Sequence, residues 1–209
     1  MEYKPLDFRE ELGKESDSPL DDHLFKLIVD NSRLLEYSKG EAIVDFGEID
    51  QDLYIIREGI VRGYMHGQYD EVNIFFGMTG TLLCSMHGFS LGEPSKIRIE
   101  ACCPTQVIKM TKATTESLMK DHNDFCLWMA GVFSRRCLFT EIKAHVMNGD
   151  ASWRYRWLEK CRPELFENVP LKVIASYLNM TEVHISRVRS RILKDQTGKS
   201  TKHRQCRQT

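Results

Sequence analysis

No stretch of about 18 consecutive apolar residues occurs in the 209-residue chain, so no segment is built to span a bilayer as a helix. The first nineteen residues, MEYKPLDFREELGKESDSP, have neither the basic start nor the apolar centre of a secretory signal. There is no Cys-x-x-Cys and no His-x-His. The seven cysteines, at 84, 102, 103, 126, 137, 161 and 206, are odd in number and irregularly spaced. That pattern argues against a disulfide framework and gives a zinc or iron–sulfur centre no ligand spacing. Adjacent Cys102 and Cys103 would point to opposite sides of a strand. A metal-dependent enzyme on a β scaffold is disfavoured on the same ground, because the histidines fall in separate segments. The expectation is a reducing, cytoplasmic setting, no catalytic residues and no metal ligands.

What is present is ordinary globular composition, 42% hydrophobic and 28% charged, with charge unevenly spread. Residues 171–209 hold nine Lys/Arg against Glu182 and Asp195, a net +7, which leaves −8 on the first 170 residues of a chain whose total is −1. A basic end on an acidic body is suited to a polyanion.

Organisation follows from texture. Residues 1–19 read as an arm with little regular structure. A short helix is predicted from Pro19 to Asn31, with Leu20, Leu24, Leu27 and Ile28 on one face. From Leu34 to Met110 short apolar runs alternate with glycines, which predicts about eight short strands in a sandwich or jelly roll. Helical pattern then returns. Thr114–Asp121 is one helix, and Asp124 is placed to cap the next. In that long helix, Phe125, Met129, Val132, Arg136, Phe139 and Val146 recur at a 3.5-residue spacing. A coiled-coil-like seam joining two copies is expected there, the alternative being a helix packed on its own domain's core. Asn148-Gly149-Asp150 ends the helix, caps the next one and serves as a hinge. The domains expected are an arm at 1–19, a sensor at 20–121, a dimerisation helix at 122–148, a DNA-binding unit at 149–195 and a disordered basic tail at 196–209. The fold class is α+β: an N-terminal β jelly roll, one long helix and a helical C-terminal domain.

The segment VPLKVIASYLNMTEVHISRVRSR carries the clearest motif. Leu171, Ile174 and Leu178 share a helical face. Asn179 sits where the chain must turn, and asparagine tolerates the left-handed conformation. Thr181 can cap a second helix that buries Val183 or His184, then Ile185, Val188 and Ile192. This spacing fits a helix-turn-helix, whose second helix enters the DNA major groove. Its candidate exposed face holds Glu182, His184, Ser186, Arg187, Arg189, Ser190 and Arg191. At 100° per residue Arg187 and Arg191 are neighbours, while Arg189 points away towards a phosphate or an acid. Lys172 and Lys194 are candidates for phosphate contacts.

Two further stretches now carry a resemblance. Tyr37-Ser38-Lys39-Gly40-Glu41-Ala42-Ile43, Gly47 and Leu53-Tyr54-Ile55-Ile56-Arg57-Glu58-Gly59-Ile60-Val61-Arg62 resemble the glycine-spaced core of cyclic-nucleotide-binding domains. The order of sandwich, long helix and helix-turn-helix resembles the Crp/Fnr family of bacterial transcription regulators over roughly residues 20–195. The resemblance implies a cytoplasmic homodimer on double-stranded DNA that works with RNA polymerase. It implies base contacts from Glu182, Val183 and Arg187, often supported by a β wing, for which little chain remains here.

It also implies a phosphate cassette, Gly-Glu near its start and Arg-Ser/Thr near its end. Here those positions hold Cys84-Ser85 and Ser95-Lys96. The effector-pocket candidates are Leu83, Cys84, Ser85, Ser95, Lys96 and Arg98. A cyclic phosphate needs a fixed cation and converging N–H groups, so cyclic AMP is not expected as the ligand. No N-terminal cysteine cluster supports an iron–sulfur cluster, and the effector stays unassigned. The alternative reading is a small-molecule-binding or interaction protein on the same fold with degenerate DNA binding.

Overall fold

The computed structural model describes residues 6–68 and 70–205, with 195–205 as backbone. The chain forms two compact units, Met1–Thr140 and Glu141–Thr209. That division falls inside the long helix, not at its two ends where the sequence reading placed domain boundaries.

The first unit contains two four-stranded antiparallel sheets. One has the order β1 (Arg33–Tyr37), β8 (Thr105–Met110), β3 (Leu53–Glu58), β6 (Leu82–Leu83). The other runs β2 (Ala42–Val44), β7 (Arg98–Ala101), β4 (Ile60–His66), β5 (Glu71–Met78). The run Leu53-Tyr54-Ile55-Ile56 is buried at every position because the first sheet is covered on both faces. Tyr54 and Ile56 face the sandwich interior with Val44, Val61, Leu83, Ile99 and Val107. Leu53 and Ile55 face the helices α1 (Phe8–Gly13), α2 (Asp22–Asp30), α3 (Lys112–Asp121) and α4 (Asn123–Met147), meeting Leu12, Leu24, Ile28, Leu118 and Trp128.

Several expectations are corrected. Within the expected arm, 8–13 is helical; Asp7 caps it through the Glu10 N–H (2.9 Å), and Leu12 is completely buried. The polar sequence around one anchoring leucine hid this. Asp124 is not the cap of α4 but lies inside its first turn. Phe125, Met129 and Val132 are buried in their own unit's core, so they are not available to a second copy. Arg136, next on that face, donates to the Leu82 carbonyl and lies 3.7 Å from Glu15. Phe139 stays exposed, and Val146 is buried. The period was right, but a period does not say which side of a helix faces its own domain. The opposite side of α4 leaves Leu127 and Leu138, both 56% exposed, in solvent, with Ile142 at its edge.

The second unit begins with the last turns of α4 and continues through α5 (Ala151–Cys161), α6 (Leu165–Asn168), α7 (Leu171–Tyr177) and α8 (Glu182–Gln205). Its small core gathers Tyr155, Leu158, Leu165, Ile174, Leu178, Ile185, Val188 and Ile192, all buried. At 148–150, where one helix was expected to end and the next to be capped, α4 ends at Met147 and α5 begins at Ala151. Asp150 caps α5 through the Trp153 N–H (2.8 Å), and the Trp153 ring lies edge-on to His145. The ring sits so close over Gly149 that an added Cβ would fall 2.0 Å from it. α8 continues to Gln205, where the expected disordered tail began at 196; residues 206–209 lie outside the described residues. A helix already nucleated and packed over several turns propagates through polar residues with no apolar stripe. Among the described residues no strand follows α5, so no wing is present there.

Candidate nucleic-acid interface

The site is assembled by the turn between α7 and α8. α7 closes with the Met180 N–H bonded to the Ala175 carbonyl (2.9 Å) and the Asn179 N–H to that of Ser176 (3.2 Å). This paired closure puts the residue after the cap in the left-handed region; Asn179 is there, at φ 52°. Arg154 reaches in from α5 and donates to the carbonyls of Leu178 (2.7 Å) and Asn179 (3.1 Å). Thr181 then accepts the His184 N–H (3.2 Å) and starts α8. Ile185, Val188 and Ile192 turn inward, which fixes the rotation of α8 about its axis.

The outward face follows. Thr181, Glu182, Val183, His184, Ser186, Arg187, Arg189, Ser190 and Arg191 are all exposed, as is Lys172 on α7. Neither Val183 nor His184 is buried, contrary to the sequence reading; the inward stripe begins only at Ile185. Ser186, Arg187, Ser190, Arg191 and Lys194 together line a shallow groove along one side. Two guanidiniums and an ammonium with interleaved hydroxyls make a surface of donors suited to phosphate oxygens and base edges. Arg191 also donates to the Ser152 hydroxyl at the start of α5 (2.8 Å). Arg189 lies off this face, near enough to Tyr155 for its charge to favour the phenolate, although burial holds that hydroxyl's pKa up. Sequence reasoning missed Arg154 and Ser152. Neither belongs to a local motif, and both act across long sequence separations.

The effector candidates behave differently. Ser85 and Ser95 are buried and hydrogen-bond to each other (2.8 Å). Ser95 donates on to the Ile97 carbonyl (2.7 Å), and the Gly88 N–H donates to Ser85 (3.3 Å). The short π-type turn His87–Leu91 packs against the loop before β3 so closely that a Cβ on Gly88 would lie 1.8 Å from the Asp50 carbonyl oxygen. Leu83 is part of the apolar interior. Burial pushes the Cys84 thiol up to about 11, which keeps it neutral. Arg98 is held by Asp45 (2.7 Å) and Glu100 (3.3 Å), and Lys96 is exposed. Ser85 and Ser95 therefore satisfy each other, Arg98 is held by two carboxylates, and the cassette positions present no converged cation. They do not fit a cyclic phosphate. Among the described residues no cluster of three or more His, Cys, Asp or Glu is placed to hold a metal ion, and no helix is long and apolar enough to cross a membrane.

Comparison with known proteins bears on this geometry. Residues 34–122 match the cyclic nucleotide-binding domain. The match spans β1 to α3, the sandwich and its first covering helix after it. No curated protein matches the chain by sequence. Solved structures similar in fold include the c-di-GMP-responsive global regulator CLP of Xanthomonas campestris, with a TM-score of 0.68 and 17% identity over 84% of this chain and 93% of that one. FixK2 of Bradyrhizobium japonicum gives a TM-score of 0.64 and 17% identity over 78% of this chain and 85% of that one. The catabolite activator protein of Thermus thermophilus gives 0.54 and 16% over 84% and 85%. The cyclic nucleotide-binding domain match thus lies in a chain whose fold is shared with these three proteins.

Proposed function

We propose that the chain is a homodimeric, sequence-specific DNA-binding transcription regulator. The observation that carries this is the groove on α8, where Ser186, Arg187, Ser190, Arg191 and Lys194 converge on a helix whose rotation is set by a capped, left-handed turn. Arg187 contacts a guanine edge, Glu182 accepts from a base amino group, and Lys172, Arg189 and Lys194 contact phosphates. Two copies pair through the exposed Leu127–Leu138 side of α4. Leu127 and Leu138 stand in solvent on the side of α4 away from the sandwich core, and burial against a second copy removes that apolar surface from water. Two reading helices then meet half-sites about one helical turn apart. α4, shared by both units, is the route by which a signal in the sandwich reaches the reading helices. RNA polymerase is the expected partner at a promoter.

The hydrogen bond between Ser85 and Ser95, at two of the cassette positions, supports a signal other than cyclic AMP. The fold-related CLP is described as c-di-GMP responsive, which makes that dinucleotide the first effector to assay.

The test is selection of genomic DNA fragments by the purified protein, followed by affinity measurements with Arg187→Ala. A bidentate base contact is worth about 1–3 kcal/mol, so specific affinity should fall about 5- to 150-fold. Binding should also weaken steeply with salt. Unchanged selectivity in Arg187→Ala would reject α8 as the reading helix.

A further inference from the structure

Gly131 lies inside α4, where glycine destabilises a helix relative to alanine. The space beside it is taken. A Cβ on Gly131 would fall 2.0 Å from the Ser16 Oγ and 3.2 Å from the Ser16 Cβ. A second glycine seats the same segment. Gly80, at φ 89° in the turn before β6, lies so close to it that a Cβ would fall 2.5 Å from the Glu11 carbonyl carbon. Between these seats residues 11–18 form a strap across the first unit, pinned into the core by Leu12. Glu15 accepts the Leu82 N–H (3.4 Å) and lies 3.7 Å from Arg136 of α4. Arg136 in turn donates to the Leu82 carbonyl. Both backbone polar groups of Leu82 are thus gripped, one by the strap and one by α4. Leu82 belongs to β6, the strand that runs directly into Cys84 and Ser85. Beyond Glu15, the Ser18 hydroxyl donates to the Leu127 carbonyl (3.2 Å) and Asp17 pairs with Arg135 (2.6 Å). That pair is exposed and contributes little; the seat at Gly131 and the grip on Leu82 decide where the strap lies.

The strap is built to hold and to let go. Leu12 is its one large apolar side chain, and the rest of its hold is polar and close to water. Few buried apolar contacts and solvent-facing hydrogen bonds place a segment at the low-stability end of a structure. We propose that the strap is a conformational clamp on α4. Docked, it ties α4 to the strand entering the cassette positions and keeps the protein competent for specific DNA. Undocked from α4, it frees the helix from β6, and specific binding is lost. The clamp needs no ligand between Ser85 and Ser95, which already bond each other. This rests on the reading of α4 as the route from the sandwich to the DNA-binding helices.

The test is Ser16→Leu in the full-length protein, which fills the seat against Gly131 and leaves α4 and α8 unaltered. Affinity for the selected DNA site should fall about tenfold, while affinity for unrelated DNA stays that of the wild type. Hydrogen exchange should quicken at residues 10–18 and stay unchanged in β3 and β8. Glu15→Gln keeps an acceptor for the Leu82 N–H and drops the charge facing Arg136, so its loss should be smaller, about threefold. Wild-type affinity for the selected site in Ser16→Leu overturns the clamp, as does a strap that exchanges at the wild-type rate. An equal loss on selected and unrelated DNA, or faster exchange in β3 and β8, overturns it too, because the strap is then only a part of the fold. A wild type that selects no sequence overturns the DNA-binding reading itself, which distinguishes the two failures.

Discussion

Arg154 acts on a turn twenty-four residues away in sequence. Its guanidinium bonds the carbonyls of Leu178 and Asn179, groups that the end of a helix otherwise leaves to water. Charge-assisted bonds of this kind contribute about 1.5–3 kcal/mol each. Arg154→Ala is therefore expected to lower the stability of the second unit by about 2 kcal/mol. It should weaken specific DNA binding at least about tenfold, because α8 loses its fixed angle. Arg154→Lys, which keeps one donor but not the planar fork, should fall between. Urea unfolding and DNA titration on the same preparations check both. Asn179 and Arg154 serve one turn, yet only Asn179 was legible. Its left-handed preference is a property of one residue type, whereas the partner of Arg154 exists only after folding.

α4 shows how far an element can be read. Its existence, its length and its 3.5-residue period were plain, and so were the strands, whose apolar runs and glycines are local. The phase was not plain. Phe125, Met129 and Val132 and the opposite Leu127 and Leu138 both recur with helical spacing, and burial alone tells which set meets the sandwich. α1 was missed because one buried leucine gives no period. The corrected phase gives a sharp expectation. On the proposed pairing through α4, the wild type should sediment as a dimer at micromolar concentration, and Leu138→Glu, which places a charge in the side left open by the sandwich, should sediment as a monomer. A buried unpaired carboxylate costs several kcal/mol, more than one apolar contact returns. The exposed position makes the fold itself indifferent to the change. A Leu138→Glu protein that remains dimeric would move the contact off α4.

For the whole molecule, the order of sandwich, long helix and helical C-terminal unit was legible because each part has its own texture, and the basic end singled out the segment that carries α8. The fate of the effector candidates was not legible, since Ser85 and Ser95 look available until they are found bonded to each other. Titration gives the two units opposite behaviour. In the second unit burial lowers Lys143 from 10.5 to about 8, although its ammonium lies 3.8 Å over the Tyr177 ring, which returns part of the loss. Between pH 8 and 10.5 the unfolded chain holds this proton and the folded unit does not, so stability rises with pH by up to roughly 2 kcal/mol. Above pH 10 the raised Tyr177 hydroxyl, held neutral by burial, opposes that gain. In the first unit burial raises Cys84 to about 11 and Cys102 to about 12. There the unfolded chain loses protons near pH 9 that the folded unit keeps, so stability falls from pH 9 upward. Raising the pH from 8 to 10 should therefore tighten the second unit while loosening the first. Native-state hydrogen exchange resolved by segment measures each separately, with slopes corrected for the intrinsic pH dependence of exchange. In Lys143→Met the second unit should be more stable than wild type at pH 7, and the difference should shrink by pH 10. A difference that stays constant with pH would mean that the Lys143 amine keeps its proton in the folded unit throughout.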